Sequence, residues 1–219
     1  MTDRFSSATT NAVYHYLLDR MLAGDLKPGD RIPETSIAQS LNVSRTPVRD
    51  ALRELAAANV VTLYPNKYSE ITVFDAERMR EIGITKISLD RLAIRLAIYY
   101  GSRAEYQALR ELAELCYQKA REQDYAGRVN ADSDFHLGLC RITKNRTLIQ
   151  IERNLLIQLE YLQAANYRNA EEAQAQYEGH LRIVEALENG DVEAGMEAIT
   201  HPSLNFYRVE GIPAALYMG

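Results

Sequence analysis

Residues 24–61, GDLKPGDRIPETSIAQSLNVSRTPVRDALRELAAANVV, constrain this chain most strongly. They hold two short helical patterns separated by the turn Asn42-Val43-Ser44. In the second pattern Val48, Ala51, Leu52 and Leu55 recur at helical intervals and form one apolar stripe. Arg45, Arg49 and Arg53 lie beside the stripe at i, i+4 and i+8, and Thr46 projects from the opposite side. Ser44 is placed to cap this helix through its hydroxyl. Pro47 falls in the first turn, where its missing N–H removes no intrahelical bond. One face therefore packs while the other offers guanidinium and hydroxyl groups, and guanidinium forks pair bidentately with guanine edges or phosphate oxygens. A plain amphipathic helix with a solvated basic face would carry the same arginines, so the flanking pattern decides. Upstream, Val13, Tyr16, Leu17 and Met21 form a helical stripe that ends near Gly24. After the turn Leu26-Lys27-Pro28-Gly29, the residues Ile32, Ile37, Ala38 and Leu41 form another. Downstream, Thr62-Leu63-Tyr64 and Ile71-Thr72-Val73 predict two short strands joined at Pro65-Asn66-Lys67. The whole is a helix-turn-helix with a small β wing.

The remainder of the chain reads as helical. Prolines are absent between Pro65 and Pro202, and helices are predicted near 76–100, 103–123, 127–143, 146–166, 171–189 and 191–208, the first with a break expected near Gly83. Short connections imply antiparallel packing in a bundle. The expected fold is therefore mainly α. Residues 1–75 form a winged helix-turn-helix DNA-binding domain, and residues 76–219 form an all-α antiparallel bundle.

Composition narrows the function. The net charge of −5 argues against a general nucleic-acid coat. Residues 1–75 carry eight Lys/Arg against nine Asp/Glu, so positive charge is concentrated on one helix rather than spread over the domain. Cys116 and Cys140 fall in helical patterns and are expected to be buried, reduced thiols rather than a disulfide framework. Every long apolar run is broken by charges, and Met1-Thr2-Asp3-Arg4 leads into polar residues, so neither a membrane span nor a signal peptide is expected. No Gly-rich phosphate loop, His-Glu-x-x-His or activated-serine motif is present, which argues against an enzyme.

Three histidines, His136, His180 and His201, lie in the predicted bundle, and Asp132 shares a helix face with His136 at i, i+4. One carboxylate and three imidazoles brought together would make a divalent site of the kind zinc or nickel accepts. Spacing alone serves equally for ordinary core and surface histidines.

The run Gly24-x-Leu26-x-Pro28-Gly29, then Ile32-x-Glu34-x-x-Ile37-Ala38-x-x-Leu41-x-Val43-Ser44-Arg45-Thr46-Pro47-Val48-Arg49-x-Ala51-Leu52-x-x-Leu55, resembles the winged helix of GntR-family bacterial transcription regulators. The resemblance implies that Arg45 and Arg49 touch base edges or phosphates, with Ser44 and Thr46 on the backbone and Arg53 reaching phosphate or solvent. Wings of the family often carry a glycine at the tip. Here the tip reads Asn66-Lys67-Tyr68-Ser69, which leaves Lys67 as the wing's phosphate contact. The bundle segments Asp132-x-x-Phe135-His136-x-x-Leu139, Asn145-x-x-Leu148 and His180-x-x-Ile183-x-x-Ala186-Leu187-x-x-Gly190-Asp191 resemble the FCD effector domain of the FadR subfamily. That resemblance implies a divalent metal, zinc or nickel, on Asp132, His136 and His180, beside a small organic-acid effector. The family's last histidine position falls here on Pro202, with His201 one residue early. One residue is about 100° of helix rotation. A kink at Pro202 would swing His201 back, which makes it the fourth candidate ligand. The family's arginine and glutamate on the first bundle helix are replaced by Lys86 and Asp90, so Lys86, Arg91 and Arg95 are the candidate effector contacts. The other reading of these charges is a solvated, salt-bridged helix face.

The chain is thus expected to be a cytoplasmic, bacterial, homodimeric transcription repressor that binds palindromic double-stranded operator DNA and answers to an organic acid bound near a metal. Two alternatives remain: a dimeric DNA-binding protein without metal or effector control, and a metal-dependent enzyme built on the bundle.

Overall fold

The computed structural model describes residues 7–65, 67–166, 170–209, 211–213 and 215. Two compact units emerge. The first runs to Val73 and takes in Ile157–Ala165; the second comprises Phe74–Leu156 and the chain from Asn166 onward.

The first unit contains α1 (Ala8–Leu22), α2 (Glu34–Ser40), α3 (Arg45–Ala57), β1 (Val61–Tyr64) and β2 (Tyr68–Ile71). Its core follows the apolar stripes. Val48, Ala51, Leu52 and Leu55 of α3 are buried with Val13, Leu17 and Met21 of α1 and with Ile37 and Ala38 of α2. Burying a side chain of this size contributes about 1.5–3 kcal/mol, so the α3 stripe alone pins the helix to the unit. In α1 it is Tyr14 that enters the core. Tyr16 is half-buried, and its hydroxyl accepts a hydrogen bond from Arg20 at 3.0 Å. The strands pair antiparallel from Val61↔Ile71 to Tyr64↔Tyr68. β2 thus begins three residues before the predicted Ile71, because Ser69 and Ile71 both supply inward-facing side chains. Arg31 adds an isolated bridge to Glu70 at the edge of this wing. Asn66, predicted as part of the tip, lies outside the described residues.

The second unit contains α4 (Ala76–Tyr100), α5 (Arg103–Arg121), α6 (Tyr125–Ile142), the first part of α7 (Arg146–Asn166), α8 (Ala170–Asn189) and α9 (Val192–Phe206). Short polar residues start these helices. Side chains of Asp75, Ser102, Asp124 and Asp191 accept N–H groups of the first turns of α4, α5, α6 and α9. Asn145 does the same for Thr147 and Leu148 of α7. Each such cap stabilises by about 1 kcal/mol and fixes where a helix begins. α5 packs on α6 and α8, α9 on α8 and α4, and α6 on α4. Phe135, Leu139, Leu109, Ile94, Val184 and Leu187 form the centre of the core. α4 runs unbroken through Gly83. A Cβ there would lie 2.2 Å from Cβ of Tyr207, so the glycine serves a close helix-to-chain approach and not a break. Cys116 and Cys140 are buried free thiols. Among the described residues no helix is long and apolar enough to cross a membrane.

Candidate nucleic-acid face and metal centre

Ser44 occupies the N-cap position of α3 in extended conformation, but its side chain makes no capping hydrogen bond. The expected hydroxyl cap is absent, and the hydroxyl stays exposed on the outer face. Arg45, Thr46, Arg49 and Arg53 are exposed on the same helix, the arginines beside the buried stripe and Thr46 opposite it. The two leading arginines converge on one carboxylate. Glu34 Oε2 lies 3.5 Å from Arg45 Nη2 and 3.2 Å from Arg49 Nε. The other oxygen of Glu34 accepts a hydrogen bond from Ser69 Oγ of the wing at 3.3 Å. Glu34 thus ties α2, α3 and β2 together at the base of the arginine pair. Exposed pairs of this kind contribute about 0–1 kcal/mol, enough to orient the guanidinium groups and too little to withhold them from a stronger acceptor. Arg53 turns instead to Asp50, at 2.7 Å. In the wing, Arg31 lies 4.1 Å over the Tyr68 ring, which is 4.6 Å from that of Tyr64, and Lys67 is exposed. Sequence reasoning missed Glu34 as an organiser. Its contacts cross from one helix to another, and no spacing rule within a helix reveals them.

Inside the bundle, α6 and α8 bring three predicted ligands together. Asp132 Oδ1 lies 3.2 Å from His180 Nε2 and 3.9 Å from His136 Nε2. Ligand atoms about 2.0–2.2 Å from a tetrahedral zinc stand roughly 3.3 Å apart, a spacing that the Asp132–His180 pair meets and the Asp132–His136 pair exceeds. Phe135 stacks on His180 with centroids 4.0 Å apart, which fixes the imidazole plane. Gln176 Nε2 donates to Asp132 Oδ1 at 2.6 Å, and its own Oε1 accepts from Arg128 at 2.9–3.0 Å. That chain holds the same carboxylate oxygen that faces the two imidazoles and so fixes its position. Burial, with help from the Lys86 ammonium, lowers the His136 pKa to about 3, so the ring is a neutral nitrogen donor. Cys116 Sγ joins Asp132 and His180 within 4.8 Å, and burial pushes its thiol up.

His201 does not join this cluster. α9 runs through Pro202 to Phe206 with His201 and Pro202 on its exposed side, while the preceding Thr200 is buried and lies 3.5 Å from Arg91. The one-residue offset therefore decides its direction, and the proline does not reverse it.

The candidate effector contacts also separate. Lys86 is buried, hydrogen-bonded to Asp90 and 3.0 Å from Glu152 Oε1. Burial opposes its charge, but Asp90 and Glu152 outweigh it and hold its pKa well above that of an ordinary lysine. Asp90 is raised to about 7, with burial outweighing Lys86. The solvated-face reading thus fails for this pair. Arg91 is buried, whereas Arg95 is exposed with Nη1 3.7 Å from Met196 Sδ. Tyr161 is buried in the first unit, and Tyr177 stacks on Tyr117 at 4.7 Å.

Residues 9–67 match the family described as bacterial regulatory proteins, gntR family, and residues 85–201 match the FCD domain. The chain belongs to the GntR family of transcription regulators. Within that family it is 29% identical over 167 residues to the Nta operon transcriptional regulator of Aminobacter aminovorans, covering 74% of this chain and 75% of the relative. It is 28% identical to a "Probable D-xylose utilization operon transcriptional repressor" of Paenarthrobacter nicotinovorans, over 89% of this chain and 85% of that one. The solved structure of McbR/YncC from E. coli superposes with a TM-score of 0.76 at 23% identity, covering 97% and 98% of the two chains, and shares the fold. These relatives are regulators of transcription, not enzymes. As a GntR regulator the chain has its DNA-reading candidates on the GntR-matched segment and Asp132, His136 and His180 on the FCD-matched segment. Lys67 is the last residue of the first match, and His201 the last of the second.

Proposed function

We propose that this regulator is a homodimeric repressor that inserts α3 into successive major grooves of a palindromic operator. Its bundle holds zinc or nickel on Asp132, His136 and His180 beside a small organic acid. The observation that carries the DNA reading is the pair Arg45 and Arg49, both exposed and both aligned by Glu34. Guanidinium groups so placed exchange a weak carboxylate contact for bidentate guanine or phosphate contacts. Ser44 and Thr46 sit on the same face to meet the backbone, with Arg53 and Lys67 reaching phosphate. For the metal, support comes from the convergence of two imidazole nitrogens on Asp132 and from the Gln176–Arg128 chain that holds the same oxygen. A metal bound there supplies a Lewis-acidic attachment point for a carboxylate. Arg91, buried at the α4–α9 contact, and Arg95, at the surface, are the arginine candidates for the effector's carboxylate. Effector control then rests on different effector affinities of the free and DNA-bound shapes.

Footprinting on DNA upstream of the regulated gene tests the proposal. A two-fold symmetric footprint with half-sites separated by one helical turn or a multiple of it is expected. Single, unsymmetric protection by a monomer would reject it.

A further inference from the structure

Arg31 is a cation that the wing holds without an acid. It is exposed, and among the described residues its guanidinium makes no hydrogen bond or ion pair. What holds it is the Tyr68 ring, whose centroid lies 4.1 Å from its Cζ, and that ring packs 4.6 Å from Tyr64. The backbone around Arg31 is equally fixed. Gly29 and Ile32 donate N–H groups to the carbonyls of Ile71 and Ser69, and Ile71 donates to that of Asp30. Residues 29–32 therefore run antiparallel along β2, with Arg31 opposite Glu70. The guanidinium nevertheless lies over Tyr68, two residues nearer the tip than Glu70, which is about 7 Å along a strand. The side chain thus leans toward the end of the wing that carries the exposed Lys67. Next to Tyr68, Ser69 donates to Glu34, the carboxylate that gathers Arg45 and Arg49. Adjacent residues of β2 therefore anchor the wing cation and the α3 arginine pair. The neighbouring acids are turned elsewhere: Glu70 accepts from the Tyr64 hydroxyl at 2.8 Å, and Asp30 from the Lys27 N–H at 2.8 Å.

We propose that Arg31 is a DNA phosphate contact, made from the strand edge of the wing rather than from its tip. The proposal rests on the DNA reading given above and adds a residue to it. A stacked guanidinium uses one face on the ring and keeps its in-plane N–H donors free. Arg45 and Arg49 must leave Glu34 to bind DNA, whereas Arg31 has no carboxylate to leave. The ring also confines a long side chain to one place, so less freedom is lost on contact. A guanidinium held against the wing surface reaches the sugar-phosphate backbone beside the groove that α3 enters, not a base edge within it. Arg31 therefore positions the duplex and carries no sequence information.

The test is fluorescence anisotropy of the full-length protein on the duplex that wild type enriches from a randomised pool, from about 50 to about 200 mM salt. Wild type, Arg31→Ala and Arg182→Ala are compared, with far-UV circular dichroism as the folding control. Arg182 is an exposed arginine on α8, so its removal changes the net charge equally. Each phosphate contact contributes about 0.9 to the slope of log affinity against log salt, so losing one per chain lowers a dimer's slope by about 1.8. The advantage of wild type over Arg31→Ala is then expected to shrink about 12-fold across that range, with the ranking of operator variants unchanged. Arg182→Ala is expected to keep the wild-type slope. Should Arg31→Ala misfold, Arg31→Gln takes its place with the same expectation. A wild-type slope in the folded Arg31 variant, an equal change of slope in Arg182→Ala, or a preference altered at one base position overturns the proposal and leaves the α3 reading standing. A pool without any enriched duplex overturns both.

Discussion

Lys86→Met separates a buried charge network from a solvated helix face. Lys86, Asp90 and Glu152 are 2%, 2% and 0% exposed, and the lysine is the partner of both carboxylates. Replacing it with a side chain of similar length keeps the packing and strands two acidic groups in the bundle interior. Removing one partner of a buried pair costs about 3–5 kcal/mol, against about 0–1 kcal/mol for an exposed pair. At about 2–4 °C per kcal/mol for a chain of this size, the melting temperature should fall by roughly 6–20 °C. The control is the triple variant Lys86→Met, Asp90→Leu, Glu152→Leu. With no charge left to strand, it should recover most of the loss, since apolar replacement of a buried ionic group is often neutral or stabilising. Urea unfolding and thermal melts in the presence of a chelator, at neutral pH, measure both. A loss below about 1 kcal/mol for the single variant, or a triple variant no better than the single, would refute the reasoning.

Three further outcomes are expected. Arg49→Ala should weaken operator binding by about 5- to 150-fold per half-site and relax preference at one base position, measured by fluorescence anisotropy on operator variants. An equal loss over all sequences would make Arg49 a phosphate contact instead. His180→Ala should abolish the thermal stabilisation that zinc confers while leaving DNA affinity in metal-free buffer unchanged; zinc stabilisation that persists removes His180 from the ligand set. Gly83→Ala should cost about 1–3 kcal/mol, because the added methyl meets Tyr207 Cβ at 2.2 Å, and a melt like that of wild type would contradict that approach.

Much of the fold is legible in the sequence because local chemistry writes it. The α3 stripe of Val48, Ala51, Leu52 and Leu55, and the short polar residues Asp75, Ser102, Asp124 and Asp191, place helices where the structure has them. Asp132 and His136 are readable as neighbours because i, i+4 residues share a helix face. What the sequence hides is contact between distant elements. Glu34 meets Arg45 and Arg49 from another helix, and Glu152 meets Lys86 and Asp90 across the bundle. Gly83 resembles a helix breaker in sequence, although its role is to admit Tyr207. His201 shows the limit most sharply: composition offers a histidine near the right place, but helical phase turns it to solvent and puts Thr200 inside.

Selection from a randomised pool of duplexes, followed by binding of the enriched sequence at rising salt, bears most directly on the docking of α3 into DNA. Wild type should enrich an inverted repeat and bind it with a steep salt dependence, and the double variant Arg45→Ala, Arg49→Ala should lose that preference while remaining folded. A pool without an enriched sequence, or a preference that survives loss of both arginines, would contradict the account.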